Sequence, residues 1–273
     1  MSKLRQYGIL NIKNNLSELE RHLENIKTRG FTALKQVLKR DEVKQLTTSL
    51  ENIYKIQEEE FGRENLDKIA ELDVARTLLY YDNNFVNLVR APEISEIVKS
   101  VLGDNYILHL QNGIINRPKK VHHQSSWHRD IPYQEYILSS PISINVFYCM
   151  APFNEQTGGT IFLPYSQKTE EFPSIDFVEN NNIQPEADEG DVIIFDSWVY
   201  HKAGYNSSQI TRYGINNVFT SPILKQQINL PKLLKGKYED DKELNTILGY
   251  KFQVADSVLD FRKRRIEKIN LGS

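Results

Sequence analysis

Residues 125–134 read SSWHRDIPYQ and place an imidazole, His128, two positions before a carboxylate, Asp130. On an extended chain the side chains alternate between faces, so His128 and Asp130 point one way and Arg129 the other. An imidazole and a carboxylate side by side make a mixed nitrogen and oxygen site suited to a borderline divalent metal. Two ligands hold such an ion poorly, so a third is needed. The best candidate is His201, just past the apolar run in GDVIIFDSWVYHKAGYN. Two histidines and one carboxylate form the facial triad of non-haem Fe(II) oxygenases, which leaves coordination positions open. Eleven residues later Arg212 opens a strand-like run, RYGINNVFTS, and can project into the same interior. A buried guanidinium needs an anion, and its planar fork matches a carboxylate. A co-substrate that chelates iron at one end and carries a carboxylate at the other would satisfy it. 2-Oxoglutarate has that shape, and O2 would take the last iron position. H-x-D alone is a weak signal, and taken singly each residue reads as well as a structural histidine or a surface arginine. The order of all four on the expected strands carries the metal reading.

These residues need a scaffold that brings distant segments together. The first 100 or so residues read mostly as helices: LSELERHLENIKTRG stops at Gly30, RDEVKQLTTSLENIYKIQEEEF has apolar residues at helical spacing, and APEISEIVKSVLG runs from Pro92 to Gly103. FTALKQVL between the first two fits a strand. After Gly103 the pattern changes. NYILHLQNGIINR, SINVFYCMAPF, TIFLPYS, GDVIIFDSW and RYGINNVFTS are short, rich in β-formers and separated by turn residues. SVLDFRKRRIEKI reads as a terminal helix whose basic cluster is a solvated face. The expected fold is a mostly β core, an antiparallel sandwich or barrel with N-terminal and C-terminal flanking helices. No linker interrupts it, so residues 1–273 are expected to form one domain: helical support over 1–103, β core over about 104–222, and a helical extension over 223–273.

Composition narrows the function classes. Lys and Arg number 34 against 36 Asp and Glu, a balance that offers no general attraction to nucleic acid. A single cysteine, Cys149, excludes an intrachain disulfide and a cysteine-based zinc site, and its apolar setting suits a buried side chain. No apolar run is long enough for a membrane span, and the N-terminus lacks a signal-peptide core, so the expected location is the cytoplasm. The expected partner is a small molecule, with no nucleic acid and no membrane, bound by a monomer or homodimer.

The chain from about residue 25 to 222 resembles the phytanoyl-CoA dioxygenase family of Fe(II)/2-oxoglutarate-dependent oxygenases. The likeness lies in LENIKTRGFTALKQVLKRDEVKQL, in WHRD, in NEQTGGTIFLPYSQK and in GDVIIFDSWVYHKAGYNSSQITR. It implies a double-stranded β-helix (a jelly roll, cupin-like) with helical support. It also implies that His128, Asp130 and His201 ligate Fe(II), and that Arg212 binds the tail of 2-oxoglutarate. Gln111 and Asn145 are further candidates for the co-substrate, and Asn145 reads equally well as a polar residue turned outward. The implied reaction consumes O2, releases succinate and CO2, and hydroxylates an unactivated C–H. Halogenating relatives replace the carboxylate by a small residue, so Asp130 favours hydroxylation, while desaturation, ring closure and epimerisation stay open. Two departures stand out. Pro164-Tyr165-Ser166-Gln167 replaces a common PGSH, and Ala203 stands where relatives often carry a hydroxyl.

The substrate is harder to read. The loop NRPKKVHHQSSW carries Arg117, Lys119, Lys120, His122 and His123, which could meet an anionic substrate or could form a solvated lid. Trp127, Tyr133, Trp198 and Tyr200 flank the ligands and could stack on a sugar or ring, although aromatic packing at a barrel mouth is equally expected. A small metabolite or activated sugar is the preferred substrate. The competing class is a non-oxidative cupin-like protein, an isomerase or a sugar-binding protein, using the same three ligands with another metal. Such a protein has no need of Arg212.

Overall fold

A computed structural model describes residue 8, residues 13–131 and residues 137–271 of the chain. Helix α1 (Glu18–Arg29) starts at Ser17, whose hydroxyl accepts the Glu20 N–H while the Glu20 carboxylate accepts the Ser17 N–H. It stops at Gly30, which takes a left-handed φ of 91° and turns the chain directly into β1 (Phe31–Leu34). Helix α2 (Arg40–Phe61) buries Val43, Leu46, Leu50, Ile53 and Tyr54, the three- and four-residue spacing of an amphipathic face. Short elements follow: α3 (Arg63–Lys68), β2 (Val74–Arg76), α4 (Leu78–Tyr81) and α5 (Asn84–Asn87). Helix α6 (Pro92–Leu102) has its proline in the first turn, where the missing N–H is harmless. The strands β3 (Ile107–Asn116), β4 (Ser143–Cys149), β5 (Thr160–Phe162), β6 (Val192–Asp196), β7 (His201–Ala203) and β8 (Arg212–Thr220) then alternate with loops and with α7 (Ile175–Asn181). The chain closes with α8 (Leu230–Leu234), α9 (Lys242–Ile247) and α10 (Val258–Leu271).

Among the described residues the strands form a six-stranded antiparallel sheet, ordered β1-β6-β4-β8-β3-β2, and a two-stranded ribbon of β5 and β7. The result is a mixed helix and sheet molecule built on one large antiparallel sheet. Both faces of that sheet are apolar, as their residues alternate. Ile115, Ile144, Val146, Tyr148, Val192, Ile194 and Ile215 pack under the helices with Leu46, Leu50, Ile53 and Ile97. Each such side chain contributes roughly 1.5–3 kcal/mol by leaving water. The opposite face presents Ile114, Phe147, Cys149, Ile193 and Phe195, and there the ribbon packs through Phe162. The Phe162 ring lies 4.7 Å from Phe31 and 5.1 Å from Phe195.

Two expectations change. Residues 125–131 do not make a strand: after a short 3-10 turn at His123–Ser125, the extended chain forms a single bridge, His128 to His201. Its partner β7 is only three residues long and already pairs with β5, so there is room for one rung of ladder. The segment expected to be helical support supplies both edges of the sheet: β1, inside the FTALKQVL run read as a strand, and β2, which was not expected. A three-residue strand such as β2 is too short for a period of two to show in sequence. Cys149 is fully buried, and burial pushes its thiol pKa up, so it behaves as a small apolar side chain. No described helix is long and apolar enough to cross a membrane.

Candidate metal and anion site

His128, Asp130 and His201 converge between the sheet and the ribbon, with one donor atom from each within 4.8 Å of the others. Asp130 Oδ1 lies 3.6 Å from His128 Nε2 and 3.5 Å from His201 Nε2. Backbone pairing sets this approach. His128 and His201 exchange N–H to carbonyl bonds of 3.0 and 3.1 Å, and the Asp130 N–H donates to Ser197 O at 3.2 Å.

The tautomers follow from the outer ring nitrogens. His128 Nδ1 lies 2.8 Å from Ser126 O, and His201 Nδ1 lies 3.0 Å from Val199 O. A carbonyl only accepts, so both Nδ1 atoms carry the hydrogen and both Nε2 lone pairs face the centre. His128 Nε2 is buried with no hydrogen-bond partner. The carboxylate is held from behind as well. Ser143 donates to Ser197 Oγ at 2.6 Å, Ser197 donates to Asn145 Oδ1 at 2.6 Å, and the Asn145 amide donates to Asp130 Oδ2 and, at 3.2 Å, to Asn216 Oδ1. Burial alone would raise the Asp130 pKa, but the His201 and His128 imidazoles hold it well below the usual carboxylate range. Burial likewise works against a charged His128, and the Asp130 carboxylate outweighs it. Two imidazole lone pairs and one free carboxylate oxygen, aimed at one point, fit a borderline divalent metal.

Arg212 lines the same cavity with Ile114, Phe147, Phe195 and Asn216. It is 1% exposed, and its Nε and Nη2 have no hydrogen-bond partner. Its guanidinium stacks 4.6 Å above Phe153. Burial lowers its pKa to about 10, which still leaves it charged at neutral pH. The protein therefore holds a buried cation beside three metal-type donors, and among the described residues no carboxylate pairs with it.

The other expected residues divide. Asn145 reaches the centre through Asp130. Gln111 does not: it faces the helices, where its side chain accepts from Leu79 N at 2.8 Å and donates to Phe85 O at 3.0 Å. Strand alternation puts Gln111 on the face of β3 opposite Ile114 and Asn116. Lys119 is exposed on its loop, with its N–H donating to Asn206 O at 2.8 Å. Lys120 and His123 line a second cavity with Arg63, Arg117 and His122. Trp127 directly precedes His128, and the ammonium of Lys202, a cavity residue, lies 4.9 Å above its ring. Trp198 is buried in a separate apolar cluster with Ile131 and Leu224. Tyr133 falls outside the described residues. Arg129 faces away from the ligands, donating to Trp198 O at 2.8 Å and Ser166 O at 3.0 Å and stacking 4.0 Å over Tyr200.

Of the two departures, Tyr165 takes a left-handed φ of 67°, a conformation glycine adopts without strain. Ala203 lines the cavity, and Thr160, its register partner across the ribbon, lines it too. Gln124, Thr160, Lys202 and Asn216 are cavity residues that the sequence did not single out. Asn216 had a signal: it stands two strand periods after Arg212 and so shares its face.

The sequence profile of the phytanoyl-CoA dioxygenase (PhyH) family matches residues 26–214. An uncharacterized protein of Mycobacterium tuberculosis is 33% identical over 234 residues, covering 82% of each chain. Dioxygenase af480 of Aspergillus fumigatus is 23% identical over 235 residues, covering 81% of this chain and 73% of its own. Among solved structures, the non-heme alpha ketoglutarate dependent epimerase SnoN from nogalamycin biosynthesis superposes with a TM-score of 0.56 at 14% identity, covering 75% of this chain and 83% of that one.

Proposed function

The chain belongs to the phytanoyl-CoA dioxygenase family, and from that premise we propose that it is an Fe(II)- and 2-oxoglutarate-dependent dioxygenase that hydroxylates an unactivated C–H of a small molecule, with release of succinate and CO2. The observation that carries the reading is Arg212, a buried guanidinium with two unpartnered nitrogens in the cavity that also holds His128, Asp130 and His201. A metal-binding protein without an anionic co-substrate would leave that charge uncompensated, at a cost of several kcal/mol.

In this reading His128 and His201 offer their Nε2 lone pairs and Asp130 its Oδ1, while Arg212 receives the far carboxylate of 2-oxoglutarate. Bound Fe(II), with 2-oxoglutarate and O2, supplies the oxidising chemistry that no side chain provides. Ile114, Phe147 and Phe195 keep the inner wall apolar, which limits water around the reacting centre. Thr160 stands opposite Ala203 and offers the co-substrate a hydroxyl from the facing strand. We read the sheet and ribbon together as the double-stranded β-helix of this enzyme type. For the substrate, Lys202 is the cationic group at the cavity wall and Trp127 the aromatic group that it stacks on, and Lys119, Lys120 and His123 are contacts for an anionic substrate that extends over the loop.

The test is optical. Under anaerobic conditions, Fe(II) plus 2-oxoglutarate should give a weak visible charge-transfer band. Arg212→Ala should weaken 2-oxoglutarate binding tenfold or more while iron binding stays nearly unchanged. A folded, iron-loaded protein with no such band overturns the reading.

A further inference from the structure

Arg212 is not the only orphaned donor in this part of the molecule. His122 is 7% exposed, and its Nδ1 accepts the Gln124 N–H at 3.2 Å. An Nδ1 that accepts has no hydrogen of its own, so in the neutral ring the hydrogen sits on Nε2. The ring is neutral, because burial, followed by the charges of His123, Arg212 and His128, lowers its pKa to about 3. His122 Nε2–H is therefore a donor, and it is buried without a partner. Leaving such a group unpaired keeps the full cost of taking it out of water.

The place matters as much as the vacancy. Asn116 pairs directly with Arg212 across β3 and β8, and with His122 it lines the second cavity described above. Asn116 Oδ1 is an unpartnered acceptor. One acceptor cannot satisfy His122 Nε2, Arg212 Nε and Arg212 Nη2 together. Even a small shift toward Asn116, whose Oδ1 has two lone pairs, would leave at least one of these buried donors unpaired. An incoming anion with several lone pairs would satisfy them, and a carboxylate has about four acceptor positions.

We propose that His122 donates its Nε2–H to the same anion that Arg212 receives, so that the far carboxylate of 2-oxoglutarate is held by an imidazole and a guanidinium together. The proposal rests on the 2-oxoglutarate reading above. A neutral imidazole adds a directed hydrogen bond without a second buried positive charge. It also ties the co-substrate to the loop that leads into His128, so that co-substrate binding orders the chain carrying the first two metal ligands.

The experiment compares 2-oxoglutarate with 2-oxovalerate, which keeps the keto acid and lacks the far carboxylate. Both are titrated into the anaerobic Fe(II)-loaded wild type, His122→Phe and His122→Gln, following the visible band. His122→Phe should bind 2-oxoglutarate about tenfold more weakly and bind 2-oxovalerate like the wild type. His122→Gln, whose amide nitrogen can stand near the Nε2 position, should recover most of the loss. Equal binding of 2-oxoglutarate by wild type and His122→Phe overturns the proposal, and so does an equal loss for both ligands. A second measurement does not depend on either variant folding. In the zinc-loaded wild type, the imidazole proton of His122 should shift downfield in the nitrogen–proton spectrum on adding 2-oxoglutarate but not 2-oxovalerate; an unmoved signal overturns the proposal. If the wild type binds no 2-oxoglutarate at all, the functional reading falls first and takes this one with it.

Discussion

Asp130 has two oxygens, and the fold gives them different tasks. Oδ1 faces the two imidazoles, and Oδ2 is taken by the Asn145 amide. Asn145 in turn is held by Ser197 and, through it, by Ser143. This arrangement leaves one oxygen free for a metal and keeps the carboxylate from rotating. Asn145→Ala would leave Oδ2 and the Ser197 hydroxyl without their partner. Metal affinity should then fall about 10–100-fold, measured by calorimetric titration, with the fold retained by circular dichroism. An affinity within twofold of wild type would return Asn145 to a purely structural place. At this scale the sequence was informative for residues that carry charge. His128, Asp130, His201 and Arg212 were legible because their types are rare in apolar strands and their order is distinctive. Gln111 was misplaced because composition does not tell which face of β3 turns inward. His122 lay in a run of basic residues that read as a solvated lid, and only its burial separates it from Lys119 and Lys120.

The ribbon that carries His201 depends on two turns. In the NEQTGGT turn, Asn154 Oδ1 accepts the Thr157 N–H at 3.0 Å, and Gly158 takes a φ of 70°. A Cβ on Gly158 would come within 2.4 Å of Gly204 O, so glycine lets β5 and β7 close together. The second turn leads into β6. Asp191 is buried and accepts from Lys35 Nζ, Gln36 N and Asp188 N, each at 2.8 Å, which ties the end of β1 to the start of β6. Burial would raise its pKa, but Lys35 and the two backbone donors lower it below the ordinary value. The sign then follows. A carboxylate with a depressed folded pKa stabilises the fold above its unfolded pKa of about 4, and that contribution is lost as pH falls through the folded value. Asp191→Asn should therefore destabilise the protein by about 1–3 kcal/mol at pH 7, as read by urea denaturation. The difference from wild type should shrink below about pH 4. A difference that stays constant down to acid pH would remove the charge from the explanation.

The described residues form a sheet with a helical layer on one face and the candidate metal and anion site on the other. The layers meet closely at one point. A Cβ on Gly113 of β3 would lie 2.0 Å from Leu50 Cδ1 of α2, so Gly113 is the recess into which the helix drops a fully buried leucine. Gly113→Ala should cost about 1–3 kcal/mol by overpacking, and Leu50→Ala about 2–5 kcal/mol by leaving a cavity. The double variant should lose less than the sum, by about 0.5–3 kcal/mol, in the same denaturation experiment. Strict additivity would mean that the two residues do not share this space. Metal binding should survive in all three variants that fold, because the site lies on the opposite face.

What the amino-acid sequence determined alone was chemical and local. Ligand-type residues in a distinctive order, helix stops at Gly30 and Gly103, and apolar runs of strand length are properties of short stretches, and short-range rules reach them. What only the tertiary structure decided was which side chains have partners. Gln111 is satisfied by the helices, Arg129 by backbone carbonyls, and Asp130 by Asn145, whereas Arg212 and His122 are left with buried donors that have no partner. The reason is physical: a hydrogen bond depends on distance and burial, and both are set by segments far apart in the chain, such as β3, β8 and the loop before His128. The same polar residue can be a finished part of the scaffold or an open contact for a ligand, and its neighbours in space decide which.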